Sequence, residues 1–397
     1  MTERMDALML PSNWQRVRLE DICEFGNGGA YETLIVENGD FKLISLNSID
    51  IDGNLKNTMK RVNFYDNSLK QDDIVMVLSD VAHGDFLGLC AVIPSNDYVL
   101  NQRMGRLRKK NDCINVLFLR LYINANQKYF KMQGQGSSQL NLSKKAIEDF
   151  EILLPPLNEQ IAIANILSDL DRYLYSLDAL ILKKESIKKA LSFELLSQRK
   201  RLKGFNQAWQ RVRLEDICEF GNGGAYETLI VENGDFKLIS LNSIDIDGNL
   251  KNTMKRVNFY DNSLKQDDIV MVLSDVAHGD FLGLCAVIPS NDYVLNQRMG
   301  RLRKKNDCIN VLFLRLYINA NQKYFKMQGQ GSSQLNLSKK AIEDFEILLP
   351  PLNEQIAIAN ILNALDHEII SLKNKKRQFE NIKKALNHDL MSAKIRV

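Results

Sequence analysis

The sequence predicts an α+β fold in which two identical mixed α/β domains are separated by two long antiparallel helices of coiled-coil type, arranged about a pseudo-two-fold axis. Three observations carry this expectation. Shifting the chain by 195 positions lays Trp14–Leu167 on Trp209–Leu362 without a mismatch over 154 residues. Each copy then runs into a stretch whose apolar residues recur at alternating intervals of three and four, the period of a coiled-coil seam. Within each copy, short β-like runs broken by Gly, Asn and Asp are mixed with one clear helical segment. The expected boundaries are 1–157 for the first domain, 158–203 for the central helix, 204–352 for the second domain and 353–397 for the C-terminal helix.

A chain of 397 residues with 45% hydrophobic content can bury two cores, which agrees with the repeat. No window approaches eighteen apolar residues and Met1–Pro11 lacks the layout of a secretory signal, so a cytoplasmic protein without a membrane partner is expected. The six cysteines form no Cys-x-x-Cys pair and have no histidine neighbours, which predicts free thiols, with no disulfide framework and no metal site. A repeat this complete points to recent duplication, recombination or engineering.

Within the repeat, Phe41–Leu46, Asp73–Leu78, Leu87–Ile93 and Phe150–Leu154 read as strands. Asn115–Gln127 reads as a helix, with Val116, Leu119, Leu121 and Ile123 set among polar residues. Gly26-Asn-Gly-Gly29 reads as a turn, because it lacks the Gly-Lys-Ser/Thr end that holds phosphate and magnesium.

The two long helices follow Pro-Pro pairs, with Asn158 and Asn353 suited to cap them and Glu159 and Glu354 suited to the positive helix end. Leu167, Leu170, Leu174, Leu177, Ile181, Leu191 and Leu195 form the first stripe, and Leu362, Leu365, Ile369, Leu372, Leu386 and Leu390 form the second. Lys184 and Lys188 interrupt the first stripe; Lys376 and Lys383 interrupt the second. Each helix should run about forty residues, roughly 60 Å. A stripe of that length exceeds what a small domain covers, so the two helices are expected to pair antiparallel as a spacer.

Charge is unevenly distributed. Trp14–Leu167 carries 17 basic and 19 acidic residues, whereas Ser168–Ala208 carries 9 against 5 and Asn363–Val397 carries 8 against 4. Contact with a polyanion by the repeated domains must therefore come from local clusters.

Three stretches resemble the specificity subunits of type I restriction-modification systems. The first runs from Gly136-Ser-Ser-Gln-Leu-Asn-Leu-Ser143 through Phe150-Glu-Ile-Leu-Leu-Pro-Pro-Leu-Asn-Glu-Gln160 to Ile163-Ala-Asn-Ile-Leu167. It is similar to the family's junction of turn, strand and long helix. The second is Trp14-Gln-Arg-Val-Arg-Leu-Glu-Asp-Ile-Cys23, which resembles the opening of the family's domain, and the third is Ser79–Ile93 with its internal glycines. The resemblance implies that each domain is a target recognition domain reading one half of a bipartite site in double-stranded DNA. It further implies that the helices dock two adenine methyltransferase subunits, and that two restriction and translocation subunits complete the assembly. S-adenosylmethionine, ATP and magnesium would be bound by those partners, leaving this chain without cofactor, metal or catalysis. Relatives usually carry two different recognition domains, and this chain departs from them in having two identical ones. The competing reading is a coiled-coil scaffold that binds another protein.

Catalytic signatures of a methyltransferase are missing. The Pro-Pro pairs sit between aliphatic residues in Leu154-Pro-Pro-Leu157 and its copy, unsuited to receiving a flipped base. Candidate DNA contacts form two groups. Asn101, Gln102, Arg103 and Arg106, with copies Asn296, Gln297, Arg298 and Arg301, open a cluster of five cations in eight residues, although Arg103 and Arg106 should emerge on opposite faces of a strand. Gln135, Ser137, Ser138, Gln139 and Asn141 with Lys144, and copies Gln330, Ser332, Ser333, Gln334 and Asn336 with Lys339, combine amides suited to adenine with glycines that allow close backbone approach. His83 and His278, one per repeat, complete the candidates. Identical domains on antiparallel helices would read an interrupted palindrome.

Overall fold

The computed structural model describes residues 11–81, 84–276 and 279–397. In the first repeat the order is β1 (Gln15–Arg18), α1 (Leu19–Ile22), β2 (Cys23–Asn27), β3 (Phe41–Ile44), β4 (Arg61–Val62), β5 (Ile74–Val77), β6 (Ser79–Val81), β7 (Cys90–Val92), β8 (Tyr98–Leu100), β9 (Met104–Lys109), α2 (Val116–Ala125), α3 (Gln127–Gln133), β10 (Gln139–Asn141), α4 (Lys144–Glu148) and β11 (Glu151–Leu154). The second repeat follows the same course from Gln210–Arg213 to Glu346–Leu349. One short pairing, Ile230–Val231 with Arg256–Val257, is a single Val36–Arg61 bridge in the first repeat.

The centre of each repeat is an antiparallel sheet in the order β2-β9-β5-β7. Its strand β5, Ile74-Val-Met-Val77, is buried at every position, so it reads as a continuous apolar run with no alternation. Alternation reappears in what each side chain touches. Ile74 and Met76 join a core with Phe118, Phe130 and Ile152, while Val75 and Val77 join a second core with Ile44, Leu69 and Tyr98. A smaller sheet, β4-β3-β8, covers the second core, with β3 and β8 parallel. On the other side lie α2, held by Asn115 as its cap through the Phe118 amide at 2.9 Å, and the β1-β11 pair.

The two long helices span Leu157–Leu196 and Leu352–Met391, 40 residues each. They begin one residue before the asparagines expected to cap them. The carbonyl of Pro156 accepts the amides of Glu159 and Gln160 at 3.0 Å, so the Pro-Pro pair itself sets the start and Asn158 lies inside the first turn. The foot of each helix also belongs to a domain core, since Ile163, Ala164 and Leu167 are buried with Trp14 and Phe150.

The chain divides into two compact units, one joining everything up to Asp178 with Asn374–Val397, the other being Ala179–Lys373. Each unit therefore contains one repeat and one half of each long helix. Within the first unit the halves run antiparallel, Asp171 meeting Lys383 and Asp178 meeting Lys376 at 2.6 Å. Within the second, Lys184 meets Glu368 at 2.8 Å and Lys188 meets Asp366. All four lysines that interrupt the apolar stripes are thus partners in ion pairs between the helices, with their aliphatic stems available to cover the seam. At the domain end of each helix a buried glutamate closes the unit. Glu159 accepts the Trp14 indole N–H at 3.2 Å and pairs with Arg396 at 3.3 Å; Glu354 accepts Trp209 at 3.0 Å and pairs with Arg201 at 2.6 Å.

Candidate nucleic-acid interface

The turn between β8 and β9 is built from within. Asn101 is only 1% exposed, its side-chain oxygen accepting the Tyr31 amide at 3.0 Å and its nitrogen donating to Glu32 at 2.7 Å. Gly28 makes this possible, because a β-carbon there would lie 2.0 Å from the Asn101 carbonyl oxygen. Asn101 and Asn296, candidates for DNA contact by residue type, are therefore placed inside the fold as anchors of the turn. The next two residues, Gln102 and Arg103, are exposed. Arg103 has φ 67°, in the left-handed region that costs a residue with a β-carbon about 1–2 kcal/mol.

The five-cation cluster does not act as one patch. Arg106 donates to the Ser68 carbonyl at 3.1 Å and to Glu24 at 2.8 Å, so the structure commits it and its copy Arg301 to internal partners. Arg108 grips the buried Asp73 with two hydrogen bonds, 2.8 and 2.6 Å, and this carboxylate raises the pKa of the guanidinium further. Lys109 pairs with Asp112 at 2.9 Å and Lys110 donates to the Glu20 carbonyl at 2.5 Å. Among the described residues, Arg103 alone of this group makes no hydrogen bond or ion pair through its side chain.

Arg103 and Gln102 border a hollow of about 220 Å³ shared with Glu32, Ser45, Asn47 and Lys60. The second repeat has the same hollow, about 220 Å³, with Gln297, Arg298, Glu227, Ser240, Asn242 and Lys255. Ser45, Asn47 and Lys60 carry no motif and are remote in sequence from Arg103, so only the fold brings them into view.

The amide-rich stretch forms a tight hairpin beside this turn. Gln135 and Asn141 exchange two backbone hydrogen bonds, 3.0 and 2.9 Å, leaving Ser137 and Ser138 exposed at the tip, and β10 pairs with β6 in the register Gln139–Val81, Asn141–Ser79. The Asn141 side-chain oxygen accepts from Ser79 Oγ at 2.6 Å and from Gln139 Nε2 at 3.2 Å, which orients both amides before any ligand arrives. The copies Gln330, Ser332, Ser333, Gln334 and Asn336 repeat this arrangement, with Ser274 donating to Asn336 at 2.6 Å. Lys144 is exposed at the start of α4, which Ser143 caps, and its ammonium lies 3.4 Å from Glu148; Lys339 and Glu343 match it.

One residue links the two groups. The Leu78 amide donates to the Arg103 carbonyl at 2.9 Å, and the Leu78 carbonyl accepts the Leu142 amide at 2.8 Å. The arginine turn and the amide hairpin are therefore neighbours across Leu78, as are their copies across Leu273. His83 and His278 lie outside the described residues. Among the described residues no group of three His, Cys, Asp or Glu side chains is placed to hold a metal ion, and no helix is long and apolar enough to cross a membrane.

The profile of the type I restriction modification DNA specificity domain matches residues 11–188 and again 206–381. The type I restriction enzyme MjaVIII specificity subunit of Methanocaldococcus jannaschii is 27% identical over 421 aligned positions, covering 100% of this chain and 96% of that protein. The crystal structure of a type I restriction-modification S subunit from M. genitalium aligns with TM-score 0.65 at 18% identity, over 97% of this chain and 98% of that one. The HsdS subunit of Thermoanaerobacter tengcongensis aligns with TM-score 0.51 at 16% identity, over 96% and 97%.

Proposed function

The chain belongs to the type I restriction-modification DNA specificity family, and from that premise we propose that each repeat reads one half of a bipartite DNA site through the arginine turn and amide hairpin joined at Leu78. The observation that carries this is the pairing, in duplicate, of an uncommitted arginine with amides already fixed in orientation. An arginine free of internal partners can meet a phosphate or a guanine edge, and fixed amides with exposed serines discriminate base edges.

The chain acts as the recognition subunit of an assembly with methyltransferase and restriction subunits. In this reading two copies of each attach, the partners bind S-adenosylmethionine, ATP and magnesium, and the chain contributes no chemical step of its own. The cytoplasm is the compartment that fits. The long helices supply the surface for the partners, and identical repeats imply identical half-sites, expected as an inverted pair.

The test is to map N6-methyladenine genome-wide in cells expressing the methyltransferase subunit with and without this chain. An interrupted palindrome methylated only when the chain is present is the expected result. Loss of that motif in a Gln139→Ala, Gln334→Ala variant that still co-purifies with the methyltransferase would locate the reading surface on the hairpin. A chain that neither co-purifies with the methyltransferase nor changes the methylation pattern refutes the proposal.

A further inference from the structure

The hollow beside Arg103 carries a more specific assignment, which rests on the DNA-reading role proposed above. We infer that Arg103 and Arg298 each read the major-groove edge of a guanine, one per half-site, and that Asn47 and Asn242, across the same hollows, read the adjoining base pair.

Three features separate this from a phosphate clamp. First, the hollow's wall includes the Glu32 carboxylate, which accepts from Lys60 at 3.1 Å and from Asn101 at 2.7 Å. That carboxylate takes up the charge of Lys60, so among the described residues of the hollow Arg103 is the one cation without a carboxylate partner, fewer than a phosphate clamp gathers. Second, the guanidinium of Arg103 retains its planar fork of donors, whereas its neighbours Arg106 and Arg108 have spent theirs on Glu24, Ser68 and Asp73. Guanine offers two acceptors, O6 and N7, at the spacing that fork matches. Third, the backbone beneath is set in advance. Arg103 occupies a left-handed turn that glycine or asparagine would adopt more cheaply, so the side chain is displayed at a conformational cost, as at sites where strain serves a ligand.

Asn47 is similarly supported. It sits exposed on the turn Leu46–Ser48, where the Ser45 amide donates to Ser48 Oγ at 2.9 Å and that hydroxyl donates to the Leu43 carbonyl at 3.3 Å. A carboxamide on a rigid turn, sharing a hollow with an arginine, is placed to discriminate a neighbouring pair.

The experiment compares three paired variants of the full chain in complex with its methyltransferase partner: Arg103→Lys with Arg298→Lys, Arg103→Gly with Arg298→Gly, and Asn47→Ala with Asn242→Ala. Binding is measured against the methylated motif and against duplexes substituted at each position, over a range of salt. Lysine keeps the charge and loses the fork, so discrimination for G·C at one position of each half-site should fall about tenfold or more with the salt dependence unchanged. Glycine suits the left-handed turn, so that variant should fold at least as stably and show the same relaxed position. The asparagine variant should relax the adjoining position instead. Full selectivity at every position in the glycine variant overturns the assignment. So does a uniform loss of affinity for all duplexes with a shallower salt dependence, which would make Arg103 a phosphate contact. A wild-type complex that methylates no defined motif would overturn the DNA-reading role itself, an outcome distinct from either.

Discussion

Lys188 and Asp366 form an ion pair in one unit at the register position that Lys383 and Asp171 occupy in the other, each residue corresponding to its counterpart by the 195-residue shift. The same shift carries Arg201–Glu354 onto Arg396–Glu159. In these two pairs each unit, taken by itself, uses the same contacts with the roles of the two helices exchanged. Elsewhere on the seam the units differ: Lys184 and Glu368 pair at 2.8 Å where the other unit sets Phe379 against Tyr173, ring centres 4.7 Å apart, and Lys373 pairs with Glu185 at 2.7 Å where the other unit has Asp178 and Glu380, both bound by Lys376.

Reversing one charge of the first pair, by Lys188→Glu or Asp366→Lys, places like charges together on a half-buried seam. Each single variant should lower stability to denaturant, and the double reversal should recover a coupling of about 0.5–1 kcal/mol. Strictly additive losses in the double-variant cycle would show that the pair contributes nothing to the seam.

Tyr173 and Phe379 offer a complementary test. The 195-residue shift relates Tyr173 to Glu368 and Phe379 to Lys184, so Tyr173→Glu combined with Phe379→Lys copies the other unit's solution. The swap should cost about 0.5–1.5 kcal/mol of ring contact and add a salt-sensitive component to stability. Stability that is unchanged and insensitive to salt would mean the aromatic pair is not holding the seam.

Much of this organisation was legible in the sequence because it rests on period and identity. The repeat, the stripes and the α+β texture need only the chain itself, and the helix read at Asn115–Gln127 is found as Val116–Ala125 with Asn115 as its cap, Gln127 instead opening the next helix. What escaped depends on tertiary partners. Lys184, Lys188, Lys376 and Lys383 look like breaks in a zipper until the acidic residues of the facing helix are seen. Asn101 and Arg106 have the residue types of DNA contacts, yet Tyr31, Glu32, Ser68 and Glu24 hold them inside the fold. The hollow of Ser45, Asn47 and Lys60 leaves no linear trace, because parallel pairing of β3 with β8 is what brings the two turns together.

Glu159 should be more important to the first unit than a surface carboxylate, being 4% exposed and bound by Trp14 and Arg396. Glu159→Ala leaves the indole N–H and the arginine without their acceptor and should cost about 1–3 kcal/mol, while Glu159→Gln, which still accepts from Trp14, should cost less. Equal effects in differential scanning calorimetry would remove the hydrogen bond from the explanation. Deleting Arg396 and Val397 should lower the melting of one unit and leave the Arg201-closed unit unchanged.

Thiol chemistry follows burial. Burial pushes the Cys23 thiol up to about 12 from an ordinary 9.0, and Cys90 is raised by the same cause, as are their copies Cys218 and Cys285. Only the exposed Cys113 and Cys308 should react with a thiol reagent in the native chain, and all six after denaturation. Because the folded thiols hold their protons more tightly than unfolded ones, their contribution to stability is complete below pH 9 and declines from there toward pH 12. Rapid native modification of more than two thiols would contradict the packing of the central sheet.

The most discriminating prediction uses the identity of the repeats against itself. Since both copies present the same arginine turn and the same amide hairpin, a substitution in one copy should alter one half-site and spare the other. Arg103→Gly with Arg298 intact is therefore expected to turn a symmetric interrupted palindrome into an asymmetric motif, relaxed at one position on one side. The glycine is chosen because it adopts φ 67° without strain, so a change of motif cannot be ascribed to misfolding of the turn. Losing one of two equivalent base contacts should reduce affinity for the original site about tenfold, and changing both copies should reduce it by roughly the square of that factor if the half-sites contribute independently. Methylome sequencing of the single-copy variant supplies the readout. A motif that relaxes on both sides would mean that one copy serves both half-sites, and the assignment of one repeat to each half would fall.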